Sequence, residues 1–422
     1  MSGKRLAQTP PMGWNSWDCY GASVREDEVR ANAEYMAENL KQYGWEYVVV
    51  DIQWYEPDAR SDQYNPHAAL VMDEYSRLMP AVNRFPSAAD GRGFKPLGDY
   101  IHSLGLKFGI HILRGIPRQA VGQKTAILGT DYTAVDIADT GSICDWNTDM
   151  YGVDPAKPGS QQYYDSIFRL YAGWGVDYVK VDDIARPYRR GEIELVHNAI
   201  KNSGREMVLS LSPGPTPVSE AEHVAEYANL WRMTDDFWDH WDHLYAMFER
   251  ADAWSSYNGP GHWPDADMLP LGRIGIRSAG GDRYTRFTRD EQVTLMTLWA
   301  MMRSPLMFGG DLRYNDDWTT SLLTNEEVLG ITKTSHSSRQ LYREGDLVAW
   351  TAMGEDGSVY LAHFNLTEEK TDIATDLSLL GLNGSYLVRD LWAKEDIGTI
   401  SSEVLTSVPA HGAVLMKLTR GK

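Results

Sequence analysis

Three stretches of the chain repeat one order of events. VREDEVRANAEYMAENLKQYGWEYVVVD, GFKPLGDYIHSLGLKFGIHI and DSIFRLYAGWGVDYVKVD each read as an amphipathic helix, a glycine-containing turn and an apolar strand. The strands do not alternate polar with apolar residues, which marks them as buried on both faces in a parallel sheet covered by helices. Further strand candidates lie near Met12 to Trp17 and at 206–212, 228–236, 261–269 and 304–310, with the strand of the second repeat near Lys107 to Ile112. Eight strands with helices between them fit a closed (β/α)8 barrel better than an open doubly wound sheet. No glycine-rich dinucleotide loop follows the first strand, and no GxxxxGK[ST] is present.

The pattern changes after about residue 330. LVAWTAM, SVYLAHFNL, GSYLVRDLW and GAVLMKLTR alternate with period two between Gly, Asp and Asn turns. The expected division is a catalytic barrel over 1–330 and a C-terminal antiparallel β-sandwich over 331–422, with SLLTNEEVLGITK as the helix that closes the barrel. The stretch from 113 to 162 has little periodicity, and a loop of that length on a barrel is expected to be functional.

Forty basic residues against 59 acidic ones give a formal charge of −19, which disfavours nucleic acid or an anionic membrane as partner and permits a neutral substrate. No run of 18 apolar residues and no secretory leader is visible, so the expected location is cytoplasmic. Cys19 and Cys144 are the only cysteines; a disulfide framework is not expected, although one bond between them stays open.

In such a barrel the C-terminal strand ends converge on one face. Here those ends carry Trp17 and Asp18, Asp51, His111, Lys180 with Asp182 and Asp183, Ser212, Arg232 with Asp235 and Asp236, and Asp265 with Asp267. A ring of carboxylates suits either a metal site or a glycosidase. Asp51, Asp182, Asp236, Asp267 and His111 could supply metal ligands, but Lys180 and Arg232 would compete for the same carboxylates, and no HxH or HExxH spacing occurs. The glycosidase reading gives each group a task. Asp182 is the nucleophile candidate, with Lys180 lowering its pKa; Asp236 is the acid/base candidate, kept protonated by a neighbouring carboxylate such as Asp235. Arg232 offers a fork of donors to ring hydroxyls, and Trp17 a flat face for a sugar.

These segments resemble glycoside hydrolase family 27, the α-galactosidases and α-N-acetylgalactosaminidases. TPPMGWNSWDCYG looks like its first-strand signature, VDYVKVDD like its nucleophile strand, and NLWRMTDD like the strand bearing the acid/base. GHWPDADMLPLG and SPLMFGGDLR look like its seventh and eighth strands. The resemblance implies a retaining exo-glycosidase with no cofactor and no metal. It implies Asp182 as nucleophile, Asp236 as acid/base, and Lys180, Arg232 and Trp17 as sugar-binding groups. It also leaves a homo-oligomer, dimer or tetramer, open.

Three departures from the family pattern bear on substrate. Family α-galactosidases carry two adjacent aspartates at the end of strand two, which hold the 4-hydroxyl and the 6-hydroxymethyl of galactose; this chain has Asp51-Ile52. An isoleucine gives nothing to a hydroxymethyl and fills the space when C6 is missing, as in β-L-arabinopyranose. Family members described as β-L-arabinopyranosidases carry isoleucine there. Second, the cysteine pair beside the nucleophile is absent, with Ile184 in its place. Third, Ser212 lies near the position that reads the 2-substituent, a small residue as in N-acetylgalactosaminidases, but the following Trp-Pro is not kept. The expected activity is hydrolysis of terminal β-L-arabinopyranosides with some α-D-galactoside activity. An α-galactosidase is the first alternative and an α-N-acetylgalactosaminidase a weaker one.

Overall fold

The computed structural model describes residues 6–421. Its strands β1 (Met12–Asn15), β2 (Tyr47–Val50), β3 (Lys107–Leu113), β4 (Tyr178–Asp182), β5 (Val208–Leu211), β6 (Leu230–Arg232), β7 (Trp263–Asp265) and β8 (Leu306–Phe308) fall within or beside the eight expected segments. They form one parallel sheet in the order β7-β6-β5-β4-β3-β2-β1-β8. The ring closes just beyond β7 through a single parallel bridge from Leu269 to Phe308. The expected strand over 261–269 is thus two pieces. Asp265 Oδ1 accepts the Asp267 N–H at 2.8 Å, and Asp267 sits at φ 77°, a left-handed kink between them.

The period of two along each strand sorts its side chains between two cores. Val48, Val50, Ile110, Ile112, Val179 and Val181 join the helix-covered outer core. Tyr47, Val49, Tyr178, Val208, Leu230, Trp263 and Met307 fill the barrel interior, with Leu6 and Ala7 packed against them. The same inward phase continues upward to Asp51, to Lys180 and Asp182, and to Arg232. Helices separate the strands as the repeats foretold: Glu26–Asn39 before β2, Lys95–Ser103 before β3 and Ser160–Trp174 before β4. The last ends on Gly175 at φ 80°, whose N–H closes onto the carbonyl of Tyr171, an ending that glycine adopts without steric cost.

Two expectations need correction. The 113–162 stretch is not an irregular loop. It holds a three-stranded antiparallel sheet of Ile116–Pro117, Met150–Val153 and Ala138–Ile143, with helices Arg118–Gln123 and Ala134–Ile137. Elements of two to six residues are too short to show a period. SLLTNEEVLGITK is two helices, Asp317–Leu323 and Glu326–Thr334. Asn325 breaks them apart by accepting the Glu327 N–H at 3.1 Å while its amide donates to the Leu391 carbonyl at 2.9 Å. The second helix crosses residue 330, and the antiparallel part of the chain begins at Ser335.

That part is a six-stranded sheet ordered Ser335–Glu344, Leu347–Gly354, Val359–Asn365, Ala413–Arg420, Tyr386–Asp390, Glu395–Ile400. A two-stranded sheet, Thr371–Asp376 with Glu403–Val408, completes the sandwich. The first strand, SHSSRQLYRE, escapes a period-two reading because two register shifts interrupt it. Val348, Trp350, Phe364 and Leu415 belong to the same buried cluster as the barrel's outer core, so the two parts share packing. His411 stacks on Trp241 with ring centroids 3.7 Å apart, and Trp392 donates to Thr297 at 2.8 Å.

Candidate active site

A cavity of about 450 Å³ opens at the C-terminal ends of the barrel strands. Trp17, Asp51, Ile52, Lys180, Asp182, Arg232 and Asp236 all line it. Ser212 does not. Its side chain is buried with no protein partner for Oγ, and Pro213, one residue on, is the residue that reaches the wall. Nor do Cys19 and Cys144 bridge; both are buried free thiols.

Asp51 is fixed from four directions. Its Oδ2 accepts from Asn15 Nδ2 at 2.8 Å and Lys180 Nζ at 3.0 Å, its Oδ1 accepts the Ile52 N–H at 2.8 Å, and its own N–H donates to Ser16 Oγ at 3.0 Å. Burial alone would raise this carboxyl's pKa; the Lys180 ammonium, then His111, Ile52 N–H and Asn15, hold it well below the usual range. Asp51 therefore meets a ligand as a carboxylate. Lys180 makes its ion pair with Asp51, while its charge also lowers the Asp182 pKa in the expected direction, behind His111. Its charge is kept by Asp51 first and Asp182 second, against burial.

The group that grips Asp182 is His111, Nε2 to Oδ2 at 2.9 Å. Burial pushes the Asp182 carboxyl up, but the hydrogen bond and charge of His111, followed by Lys180 and the Asp183 N–H, bring it below its ordinary value. The cross-strand register sets this up, since His111 on β3 pairs with Lys180 on β4 and Leu113 with Asp182. Trp54 Nε1 donates to the His111 carbonyl at 2.7 Å and pins that strand end. Asp183 leaves the cavity at φ 56° and pairs with Arg114 at 2.9 Å; burial lifts its pKa to about 6.

Arg232 divides its fork between two carboxylates, Asp236 at 3.0 Å and Asp267 at 2.8 Å. Burial raises the Asp236 pKa, Arg232 opposes, and Asp267 and Asp182 raise it further. The Asp236 side chain is 57% exposed, so the two carboxylates sustain that direction better than burial does. The expected helper, Asp235, instead pairs with Arg186 at 2.6 Å on the cavity rim and accepts the Asp236 N–H at 3.0 Å. Asp182 and Asp236 thus share one cavity with pKa values displaced in opposite directions, an arrangement suited to one attacking carboxylate and one proton donor.

Several lining or supporting groups were not picked out as site residues from sequence. His111 and Asp267 stood among the strand ends, yet their partners depend on register and on the kink after β7. Asn15 ends β1 two residues before Trp17 and was not singled out. Asp62, Tyr64, Trp146, Arg186 and Trp238 come from connecting segments that carry no motif. Among the described residues no group of three or more His, Cys, Asp or Glu is placed to hold a metal ion. No helix among them is long and apolar enough to cross a membrane.

The family model described as alpha galactosidase A matches residues 9–157 and 154–334, and the alpha galactosidase C-terminal beta sandwich domain matches 344–418. A solved β-L-arabinopyranosidase of glycoside hydrolase family 27 from Geobacillus stearothermophilus is 61% identical, covering 100% of this chain and 98% of that one, with a TM-score of 0.99. A solved structure described as a putative alpha-N-acetylgalactosaminidase from Bacillus halodurans C-125 is 54% identical over 99% and 98% of the two chains, with a TM-score of 0.90. Alpha-galactosidase 2 of Arabidopsis thaliana is 28% identical over 99% of this chain and 91% of its own length. The chain belongs to glycoside hydrolase family 27, the alpha galactosidase A family.

Proposed function

We propose that the protein releases terminal β-L-arabinopyranosyl groups with retention of anomeric configuration, and turns over α-D-galactosides more slowly. The observation that carries the substrate choice is Ile52. It lines the cavity directly beside Asp51, at the place where galactosidases of the family supply a second carboxylate to the 6-hydroxymethyl. Asp51 offers one acceptor to a ring hydroxyl, and the isoleucine covers the ring edge that in a pentopyranose carries no substituent. The 61% identity to an arabinopyranosidase supports the same reading.

In the first step an Asp182 carboxylate oxygen bonds to the anomeric carbon as the bond to the leaving oxygen breaks, and Asp236 gives that oxygen its proton. In the second step Asp236, now a carboxylate, takes a proton from water, whose oxygen bonds to the anomeric carbon and frees Asp182. Lys180 and Arg232 donate to ring hydroxyls, and Trp17 lies against the apolar face of the ring. Two free cysteines fit an intracellular setting for this reaction.

The deciding experiment compares kcat/KM on nitrophenyl β-L-arabinopyranoside and nitrophenyl α-D-galactoside for the wild type and for Ile52→Asp. The wild type should favour the arabinoside, and the substitution should tilt the ratio toward the galactoside. An unchanged ratio would overturn the role given to Ile52. A wild type that favours the galactoside would make the protein an α-galactosidase, the reading that the Arabidopsis relative's name supports. An acetamido sugar is the weaker fit, since Pro213 rather than Ser212 reaches the wall.

A further inference from the structure

We infer that Trp146 and Arg186 on the cavity rim are the residues that select an uncharged pyranose as the leaving half of the substrate; this rests on the glycosidase reading above. The inner groups pair off, Lys180 with Asp51 and Arg232 with Asp236. The rim is built differently. Trp146 reaches it from the 113–162 excursion with 40% of its surface open. Tyr64 bridges inner and outer aromatics, its ring centroid 6.3 Å from Trp17 and 5.6 Å from Trp146. An open indole face beside a polar site offers a stacking surface to the C–H face of a sugar.

Two further lining residues, Arg186 and Asp235, supply the polar half. Arg186 engages Asp235 through Nη2 alone, and a guanidinium carries five N–H donors, so donors remain for hydroxyls. Asp235 also accepts the backbone N–H of Asp236, which places the rim pair directly beside the candidate proton donor. A leaving sugar held there would present its glycosidic oxygen to Asp236.

The platform is set before a ligand arrives. Asp149, three residues after Trp146, is buried and accepts from Gln53 and Tyr55, each at 2.9 Å. Thr148 Oγ1 accepts the His67 N–H at 2.7 Å. A stacking surface already anchored loses little freedom on binding. Charge selects a neutral sugar. Arg186 is matched by Asp235, while Asp62 also lines the cavity, so a uronate would meet net negative charge. A flat aryl group would cover Trp146 but leave the Arg186 donors unused.

The test measures kcat/KM on a β-L-arabinopyranosyl disaccharide with a neutral second pyranose and on methyl β-L-arabinopyranoside, which ends at the rim. Trp146→Ala should cut the disaccharide value roughly tenfold more than the methyl glycoside value, and Trp146→Phe should restore most of it. Arg186→Gln should discriminate in the same direction. Equal losses on both substrates, or no loss, would overturn the rim assignment. A disaccharide with a uronic acid in second place, hydrolysed as fast as the neutral one, would overturn the neutral class. If the wild type turns over neither arabinoside, the proposed function fails and the matched α-D-galactosyl pair replaces them. The same selective loss there upholds the rim, its absence sinks it, and no turnover of either series sinks both readings.

Discussion

His111 shows how one side chain can set the working range of another. Its hydrogen bond and charge offset the burial that would otherwise raise the Asp182 pKa. In the proposed mechanism the acid limb of the pH–kcat/KM profile follows Asp182, which must be ionised. The basic limb follows Asp236, which must hold its proton and whose pKa is raised. Replacing His111 with alanine should therefore move the acid limb to higher pH, narrow the bell and leave the basic limb nearly in place. A pH profile on an activated aryl glycoside checks this, and an unmoved acid limb would detach His111 from Asp182. Asp236→Ala should lower kcat by about 10²–10⁴-fold on methyl glycosides and far less on dinitrophenyl glycosides, whose leaving groups need no proton. Asp182 and Lys180 were legible in VDYVKVD because residues two apart share a face of a strand. The partner of each was not legible, since whether Lys180 turns to Asp51 or to Asp182 depends on rotamers and on neighbouring strands.

At the scale of elements, the buried carboxylate of Asp149 ties the long excursion between β3 and β4 to the segment just after β2. Asp149→Ala would leave Gln53 Nε2 and Tyr55 Oη buried without an acceptor, a loss of about 2–3 kcal/mol of unfolding free energy in urea titration at neutral pH. The end of β8 packs as tightly against the first strand's loop. A methyl group at Gly309 would overlap the Asp18 carboxyl, whose own pKa burial pushes well above the ordinary value, followed by the charge of Asp267. Gly309→Ala should cost about 1–3 kcal/mol, measured by the same titration. The barrel strands could be located from sequence because buried parallel strands are runs of branched apolar residues, as in YVVV and YVKV. The excursion could not be assigned, because its turns and two-residue strands owe their form to Asp149, Thr148 and other contacts far away in the chain.

At the scale of the whole molecule, the barrel and the sandwich are not separable by packing. Trp350 and Phe364 join the outer core of the barrel, and His411 covers Trp241. A chain ended at residue 334 would expose those faces, so its thermal melt followed by circular dichroism should lose its single cooperative transition. Below the carboxylates, Tyr47, Tyr178 and Trp263 stop up the barrel, with Leu6 beneath them. The reaction chamber is thus a dead end: each freed monosaccharide must back out through the mouth before another chain tip can enter. Such a catalyst lets go of its polymer after every cut, and its initial rate should follow the number of tips in solution rather than the mass of carbohydrate.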